Sequence, residues 1–180
     1  MVAGFAPLLF ADIGAQHSDV AVATDASSRG QGLVTAPISD QQSHTCASAS
    51  GAPALPHITQ QQRMAIITAT DLDWTTAISA PWKLPLTHIN HGEIAAANTA
   101  VKWAAKQPRY RGRRLILFSD STTAVGAIAK GRISSFKLLS IIRKLAATCL
   151  VFNLRVIPVW LPSDCNPADR PSRIFVHDDH

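Results

Sequence analysis

The sequence predicts one mixed α/β domain with a five-stranded mixed sheet and the element order β-β-β-α-β-α-α-β-α. The chain has 180 residues, of which 47% are hydrophobic and 16% charged, as expected for a single globular domain with a substantial core. Short β-prone runs dominate the first half, whereas the second half alternates helical periodicity with β-prone runs. Together these two observations favour a layered α/β fold.

The first half predicts three strands. Residues 19–27 alternate small apolar residues and end in a turn, so they predict a first strand whose hairpin partner spans residues 31–38. Residues 39–62 are rich in Ser, Ala, Gln, His and Pro with little periodicity, which predicts a long surface loop or insertion. Residues 64–70 and 74–79 are both β-prone, and we expect one or both to complete a three-stranded meander.

The second half begins with the clearest helix. Residues 88–107 are alanine-rich and place apolar residues at helical spacing before Pro108. Residues 114–119 form a nearly continuous apolar run, which is typical of a buried strand. Ser121 then offers an N-cap for a short helix that ends near residue 130.

Three further elements complete the predicted fold. A longer helix begins at Ser134 or Ser135 and ends near residue 150. Residues 154–161 predict a strand, which an internal proline places towards the edge of the sheet. Residues 166–169 carry the cap and first-turn proline of a short last helix.

The domain is expected to span residues 18–174, with residues 1–17 left from a preceding region of a longer polypeptide and residues 175–180 as a tail. No stretch approaches the roughly 20 apolar residues that a membrane span needs, so we expect no membrane partner. The three cysteines are odd in number and widely spaced, which predicts neither a disulfide framework nor a structural zinc site. An intracellular location, cytoplasmic or nuclear, fits this pattern.

Charge is distributed unevenly along the chain. Residues 94–163 hold 12 of the 17 Lys and Arg residues but only one of the 12 acids, Asp120. Such a region suits a polyanionic partner, and nucleic acid is the expected one. These basic residues fall into one cluster over residues 102–114 and another over residues 130–144, and a solvated basic helix face explains either cluster alone equally well.

Four acids lie on or directly after predicted elements: Asp25 on the first strand, Glu93 on the main helix, Asp120 after the buried strand and Asp169 on the last helix. A carboxylate inside an apolar β run is costly to bury unless it is paired, which favours a functional role for Asp25 and Asp120. Helix capping explains Asp169 alone equally well. Four convergent carboxylates suit Mg²⁺, and two such ions support phosphodiester hydrolysis.

Four short motifs contain these acids. They are Thr24-Asp25-Ala26-Ser27, His88-Ile89-Asn90-His91-Gly92-Glu93, Phe118-Ser119-Asp120-Ser121 and Asn166-Pro167-Ala168-Asp169-Arg170-Pro171-Ser172-Arg173. In these motifs and their order, the chain from about residue 20 to 173 resembles the ribonuclease H domain of retrotransposon reverse transcriptases. The second and fourth motifs are most similar to DIRS-type and BEL/Pao-type elements. The resemblance implies a ribonuclease H-like fold.

The resemblance also implies an activity. Asp25, Glu93, Asp120 and Asp169 would hold two Mg²⁺ ions, with Mn²⁺ as a substitute, and hydrolyse the RNA strand of an RNA–DNA hybrid. The domain would belong to a larger reverse-transcriptase polyprotein.

Contacts to nucleic acid are expected from two sets of residues. The resemblance implies contacts by Ser27, Asn90, Ser121 and Thr122, although a helix cap explains Asn90 equally well. The charge pattern adds Arg111, Arg113 and Arg114 as contacts to phosphates.

Two departures from the family pattern affect these expectations. Residues 161–165 lack the histidine that many ribonucleases H carry before the last aspartate, which predicts slow activity. Residues 38–72 are longer than the usual connection, and we expect His44 and His57 to be exposed loop residues rather than ligands. Two alternatives stay open: a nucleic-acid-binding domain of the same fold with weak or no catalysis, and an integrase-like or transposase-like nuclease.

Overall fold

Five strands form one mixed sheet in the computed structural model, which describes residues 14–54 and 57–175. The strands are β1 (Val20–Ala26), β2 (Gly30–Pro37), β3 (Thr75–Pro81), β4 (Arg114–Ser119) and β5 (Arg155–Trp160). Their spatial order is β3-β2-β1-β4-β5. The β1–β2 and β2–β3 pairs are antiparallel, and the β1–β4 and β4–β5 pairs are parallel. The predicted mixed α/β class with a five-stranded mixed sheet is confirmed, and this architecture is consistent with the expected ribonuclease H-like fold.

Six α-helices accompany this sheet in the described residues. They are α1 (Asp40–Ala47), α2 (Gln60–Thr70), α3 (Ile89–Ala105), α4 (Thr122–Lys130), α5 (Phe136–Val151) and α6 (Asp169–Arg173). None of them is both long and apolar enough to span a membrane. The observed order therefore contains two helices between β2 and β3 that the predicted order lacks.

The segment between β2 and β3 is where the prediction was wrong. The predicted loop over residues 39–62 contains α1 and the beginning of α2, and residues 64–70 belong to α2 rather than to a strand. The buried apolar side chains of α2 are the small Ala65 and Ala69, whereas the bulky Met64 is 46% exposed. Of the two candidate strands, only the second one forms, as β3.

Helices pack on both faces of the sheet because neighbouring strand residues point to opposite sides. On one face, α3 and α5 cover a core that includes Val22 and Leu117. On the other face, α1 and α2 cover a core that includes Ala23 and Phe118. The segment predicted as a surface loop thus supplies part of the second layer of the core.

The ends of the chain are only partly described. Residues 1–13 of the predicted N-terminal remnant and residues 176–180 of the predicted tail lie outside the described residues. The backbone next to β1 pairs with the first residue of β4: the Arg114 amide donates to the Gln16 carbonyl at 2.9 Å, and the Ser18 amide donates to the Arg114 carbonyl at 2.8 Å. The predicted domain boundaries stay predictions.

The register of the parallel pair β1–β4 places the carboxyl ends of the two strands side by side. Ala23 lies opposite Phe118, and two more residues along each chain bring Asp25 and Asp120 to the same edge of the sheet. Helix α3 packs against β1 and carries Glu93 in its second turn. The fold therefore directs three of the four predicted carboxylates to one place.

Candidate metal centre

Asp25, Glu93 and Asp120 form a cluster of carboxylates. Each offers one oxygen, and these oxygens lie within 4.8 Å of one another. Asp25 is 3% exposed, Glu93 is 8% exposed and Asp120 is half-buried. All the ligand atoms are hard oxygens, which is the donor set that Mg²⁺ prefers.

Asp25 is held by the last helix. The Ser172 hydroxyl donates a hydrogen bond to Oδ2 of Asp25. Burial raises the pKa of Asp25, the bond from Ser172 lowers it, and the charges of Asp120 and Asp169 raise it further. This carboxylate is thus buried close to other acids with only partial compensation from the protein.

Glu93 is the most perturbed carboxylate of the cluster. Burial, followed by the charges of Asp25 and Asp120, raises the pKa of Glu93 to about 9, against a lowering effect of the backbone hydrogen bond from Ala26. Its Oε2 atom is buried and has no hydrogen-bond partner among the described residues. A buried carboxylate oxygen without a partner is costly, and coordination to a cation would satisfy it.

Asp120 is oriented by the loop that follows β5. Its Oδ2 accepts a bond of 2.6 Å from the Ser163 hydroxyl, and its Oδ1 accepts a bond of 3.2 Å from Nδ2 of Asn166. The same Nδ2 donates to the Thr24 carbonyl at 3.2 Å, and Oδ1 of Asn166 accepts from the Ala168 amide at 3.1 Å. Asn166 therefore joins the ends of β1 and β4 to the beginning of α6.

This positioning role of Asn166 was missed by the sequence reasoning, which treated the residue only as a helix cap. The sequence shows only an asparagine between a predicted strand and a predicted helix, and the partners of its side chain are distant in sequence. Asn166 is 6% exposed.

Asp169 lies beside the cluster but is not one of the three. Its Oδ1 accepts hydrogen bonds from Arg173, with both Nε and Nη2 at 2.7 Å. Its charge still contributes to the raised pKa of Asp25. Its predicted role as a fourth metal ligand stays a prediction.

A recess of about 250 Å³ opens beside the carboxylates and contains three of the residues predicted to contact nucleic acid. It is lined by Ile89, Asn90, Glu93, Asp120, Ser121, Thr122 and Thr123. The N-cap of α3 is His88, whose Nδ1 accepts from the Asn90 amide at 3.1 Å. The capping alternative for Asn90 is therefore wrong, and its side chain is available to the recess.

Ser27 is buried and hydrogen-bonded to the protein backbone. It is 7% exposed, its hydroxyl donates to the Ser172 carbonyl at 2.7 Å, and the same oxygen accepts from the Gly30 amide at 2.9 Å. These bonds fasten the β1–β2 turn to α6. Its predicted contact with nucleic acid stays a prediction.

The three predicted arginines lie at the far end of the sheet from the carboxylates. Arg114 begins β4 and Asp120 directly follows it, so the six residue steps along the strand separate the two groups by roughly 20 Å. The Arg111 guanidinium lies 5.0 Å from the centre of the Phe152 ring, and the Arg113 guanidinium donates to Gln16. The structure does not bring these arginines to the recess.

Other basic residues stand closer to the site. A groove of about 490 Å³ adjoins the recess and shares Thr122 and Thr123 with it. Lys130 and Arg132 line this groove. Both belong to the basic region of the sequence, but the charge pattern alone did not distinguish them from Arg111, Arg113 and Arg114.

Comparisons with known proteins give structural neighbours only. No known family model matches the chain, and no curated protein matches it in sequence. The fold is similar to the foamy viral protease-reverse transcriptase in complex with RNA/DNA hybrid, with a TM-score of 0.48 and 15% identity over 84% of this chain. It is also similar to native Prototype Foamy Virus protease-reverse transcriptase, with a TM-score of 0.44 and 15% identity over 86%. The chain spans 19% and 20% of the lengths of these two chains.

Proposed function

We propose that this protein is a metal-dependent endonuclease that hydrolyses the RNA strand of RNA–DNA hybrids, as the ribonuclease H domain of a retroelement polyprotein. The observation that carries this proposal is the convergence of Asp25, Glu93 and Asp120 within 4.8 Å at the ends of two neighbouring parallel strands. Buried acids gathered in this way destabilise the fold unless they serve a cation.

Asp25, Glu93 and Asp120 would hold Mg²⁺, and Asp169, whose charge acts on Asp25, would complete the set by exchanging Arg173 for the cation. When bound, Mg²⁺ supplies Lewis-acid stabilisation of charge on phosphate oxygens and lowers the pKa of bound water. With a pKa of about 9, Glu93 carries a proton at neutral pH in the metal-free protein. Glu93 would have to give up this proton to hold a cation, so metal affinity would depend on pH.

The neighbouring residues support the cluster by orienting the carboxylates. Ser163 and Asn166 fix the two oxygens of Asp120, and Ser172 fixes one oxygen of Asp25. Such partners of metal ligands typically contribute about 10–100-fold to affinity or activity. The geometry of the site thus depends on the loop after β5 and on α6.

The choice of substrate would come from the recess and the adjoining groove. Asn90, Ser121 and Thr122 offer polar side chains next to Glu93, where a 2′-hydroxyl can be recognised as a hydrogen-bonding group. Lys130 and Arg132 in the groove suit contacts to phosphates, which position a strand without reading its sequence.

Cleavage of matched RNA–DNA, RNA–RNA and DNA–DNA duplexes in Mg²⁺ or Mn²⁺ tests the proposal. We expect cleavage of the RNA strand of the hybrid alone, faster in Mn²⁺ because no histidine stands in the loop before Asp169. The matched control is Asp120→Asn, which should bind the hybrid without cutting it. Binding by the unmodified protein without cleavage would favour the non-catalytic alternative, and equal cleavage of DNA–DNA would favour the transposase-like one.

A further inference from the structure

A second group of metal-ligating side chains lies at the opposite end of the sheet from the carboxylate cluster, where residues 16–18 meet α1. Nδ1 of His17 is 3.3 Å from Oδ1 of Asp40, and Nε2 of His44 is 3.5 Å from Oδ2 of Asp40. The centres of the two imidazole rings are 4.5 Å apart. One ligand atom from each residue lies within 4.8 Å of the other two.

These distances fit a small ion with nitrogen and oxygen ligands. Tetrahedral zinc with bonds of about 2.0–2.1 Å requires ligand atoms about 3.3 Å apart. Nδ1 of His17 and Oδ1 of Asp40, at 3.3 Å, already have this spacing, and Nε2 of His44 lies 3.5 Å from the other carboxylate oxygen. Since the ligand atoms of the three residues lie within 4.8 Å of one another, they need to approach by at most about 1.5 Å to surround an ion.

The three side chains are carried by well-fixed backbone. His17 lies between Gln16 and Ser18, whose backbone groups both pair with Arg114 of β4. Asp40 and His44 are one turn apart on α1, which begins with a capping box at Ser39. The arrangement therefore does not depend on a flexible loop.

His17 is the buried member of the group. The His17 side chain is only 4% exposed, and its Nε2 has no hydrogen-bond partner among the described residues. The other two side chains are exposed, at 74% for Asp40 and 66% for His44. An adjacent cavity of about 320 Å³ is lined in part by His17, Asp19 and Asp40. The group is thus anchored on one side and open to an entering ion on the other.

We propose that His17, Asp40 and His44 form a binding site for a divalent transition metal of the zinc type. Two imidazoles and one carboxylate suit zinc and its neighbours, whereas Mg²⁺ prefers a set of oxygens. The site is distinct from the carboxylate cluster in place and in chemistry. Its ion joins α1 to the segment before β1, and so stabilises the helix layer that covers the second face of the sheet. His44 is then a ligand, against the sequence-based expectation.

The test is a Zn²⁺ titration of the full chain, measured by calorimetry and by NMR of the imidazole groups, with saturating Mg²⁺ present to compete for the carboxylate cluster. We expect one Zn²⁺ per chain, with shifts of the His17 and His44 signals and none of His57. His44→Gln should weaken Zn²⁺ binding by at least about 100-fold, because even the outer partners of metal ligands contribute about 10–100-fold. His57→Gln, an exposed histidine outside the group, is the matched control and should bind Zn²⁺ normally.

Thermal unfolding gives a second readout. At a Zn²⁺ concentration one hundred times the Kd, the midpoint of the unmodified protein should rise by roughly 5–10 °C. His44→Gln and Asp40→Asn should lose this rise, and since both side chains are exposed in the protein, both variants should fold. The proposal is overturned if the unmodified protein binds no Zn²⁺, or if both variants bind it as tightly as the His57 control.

Discussion

Replacing Glu93 with glutamine should change how the stability of the metal-free protein depends on pH. The pKa of Glu93 is raised from 4.5 to about 9, first by burial and then by Asp25 and Asp120. The folded protein therefore holds a proton that the unfolded chain releases between these values. The stabilisation from this proton is complete below pH 4.5 and is lost as pH rises towards 9.

The size of the effect follows from one proton. Each pH unit within this window costs the unmodified protein roughly 1.4 kcal/mol of unfolding free energy, hence roughly 3 kcal/mol between pH 6 and pH 8. Glutamine has nearly the same shape and does not titrate, so Glu93→Gln should lack this loss. The pKa of Asp25 is also raised, but Asp25 is present in both proteins, and the difference between them isolates Glu93.

Urea unfolding at pH 6, 7 and 8 in a chelator measures the effect. The two proteins should be nearly equal in stability at low pH, and the variant should become progressively more stable as pH rises. Adding Mg²⁺ at pH 8 should restore the unmodified protein more than the variant, since the variant has lost a ligand. Parallel stability curves for the two proteins from pH 6 to pH 8 would show that Glu93 is not protonated in the fold.

Three other substitutions have defined outcomes. Asp120→Asn should abolish hybrid cleavage while the thermal midpoint stays equal or rises, because it relieves repulsion among the carboxylates; loss of folding would mean that Asp120 is structural. Asn166→Ala should lower kcat by about 10–100-fold with little change in hybrid Kd, and an unchanged kcat would refute its positioning role. Gly32→Ala should destabilise the protein by about 1–3 kcal/mol in urea unfolding, because its Cβ would lie 2.5 Å from the Ala168 carbonyl oxygen. Gly126→Ala, in the middle of α4, is the matched control and should be neutral or stabilising, because its Cβ would make only an ordinary contact of 3.8 Å with the Cβ of Ala52.

The strands that carry the carboxylates were predictable because their signals are local. An apolar run that ends in an acid, as in residues 114–119 followed by Asp120, indicates a buried strand with a reason for its charge. The helical spacing of residues 88–107 likewise gave α3, with Glu93 near its start. Adjacent parallel strands then bring such acids to one edge of the sheet.

Helices α1 and α2 were missed although the sequence contains a signal for both. Ser39 with Gln42, and Thr59 with Gln62, form capping boxes, a pattern that marks the beginning of a helix. The β-branched residues of 64–70 suggested a strand instead. Alanines are too small to produce a strong hydrophobic periodicity, so the buried face of α2 left little trace.

Contacts between distant residues could not be predicted from local patterns. Ser172 and Asp25 are 147 residues apart, and His17 and Asp40 are 23 residues apart. The position of Arg111, Arg113 and Arg114 is a different case, because the strand over residues 114–119 by itself puts Arg114 and Asp120 at opposite ends.

The residues that orient the carboxylate cluster are synthesised after the carboxylates themselves, which determines when the site can form. Asn166 and Ser172 bond to groups on β1 that lie 142 and 147 residues earlier, and both follow every strand of the sheet in the chain. Contacts between such distant residues form late, because the intervening chain must first be closed into a loop. On the ribosome, Asp25, Glu93 and Asp120 therefore emerge well before the groups that orient them. A nascent chain therefore gains an organised carboxylate cluster only when α6 docks, and the proposed cleavage would have to wait for that step.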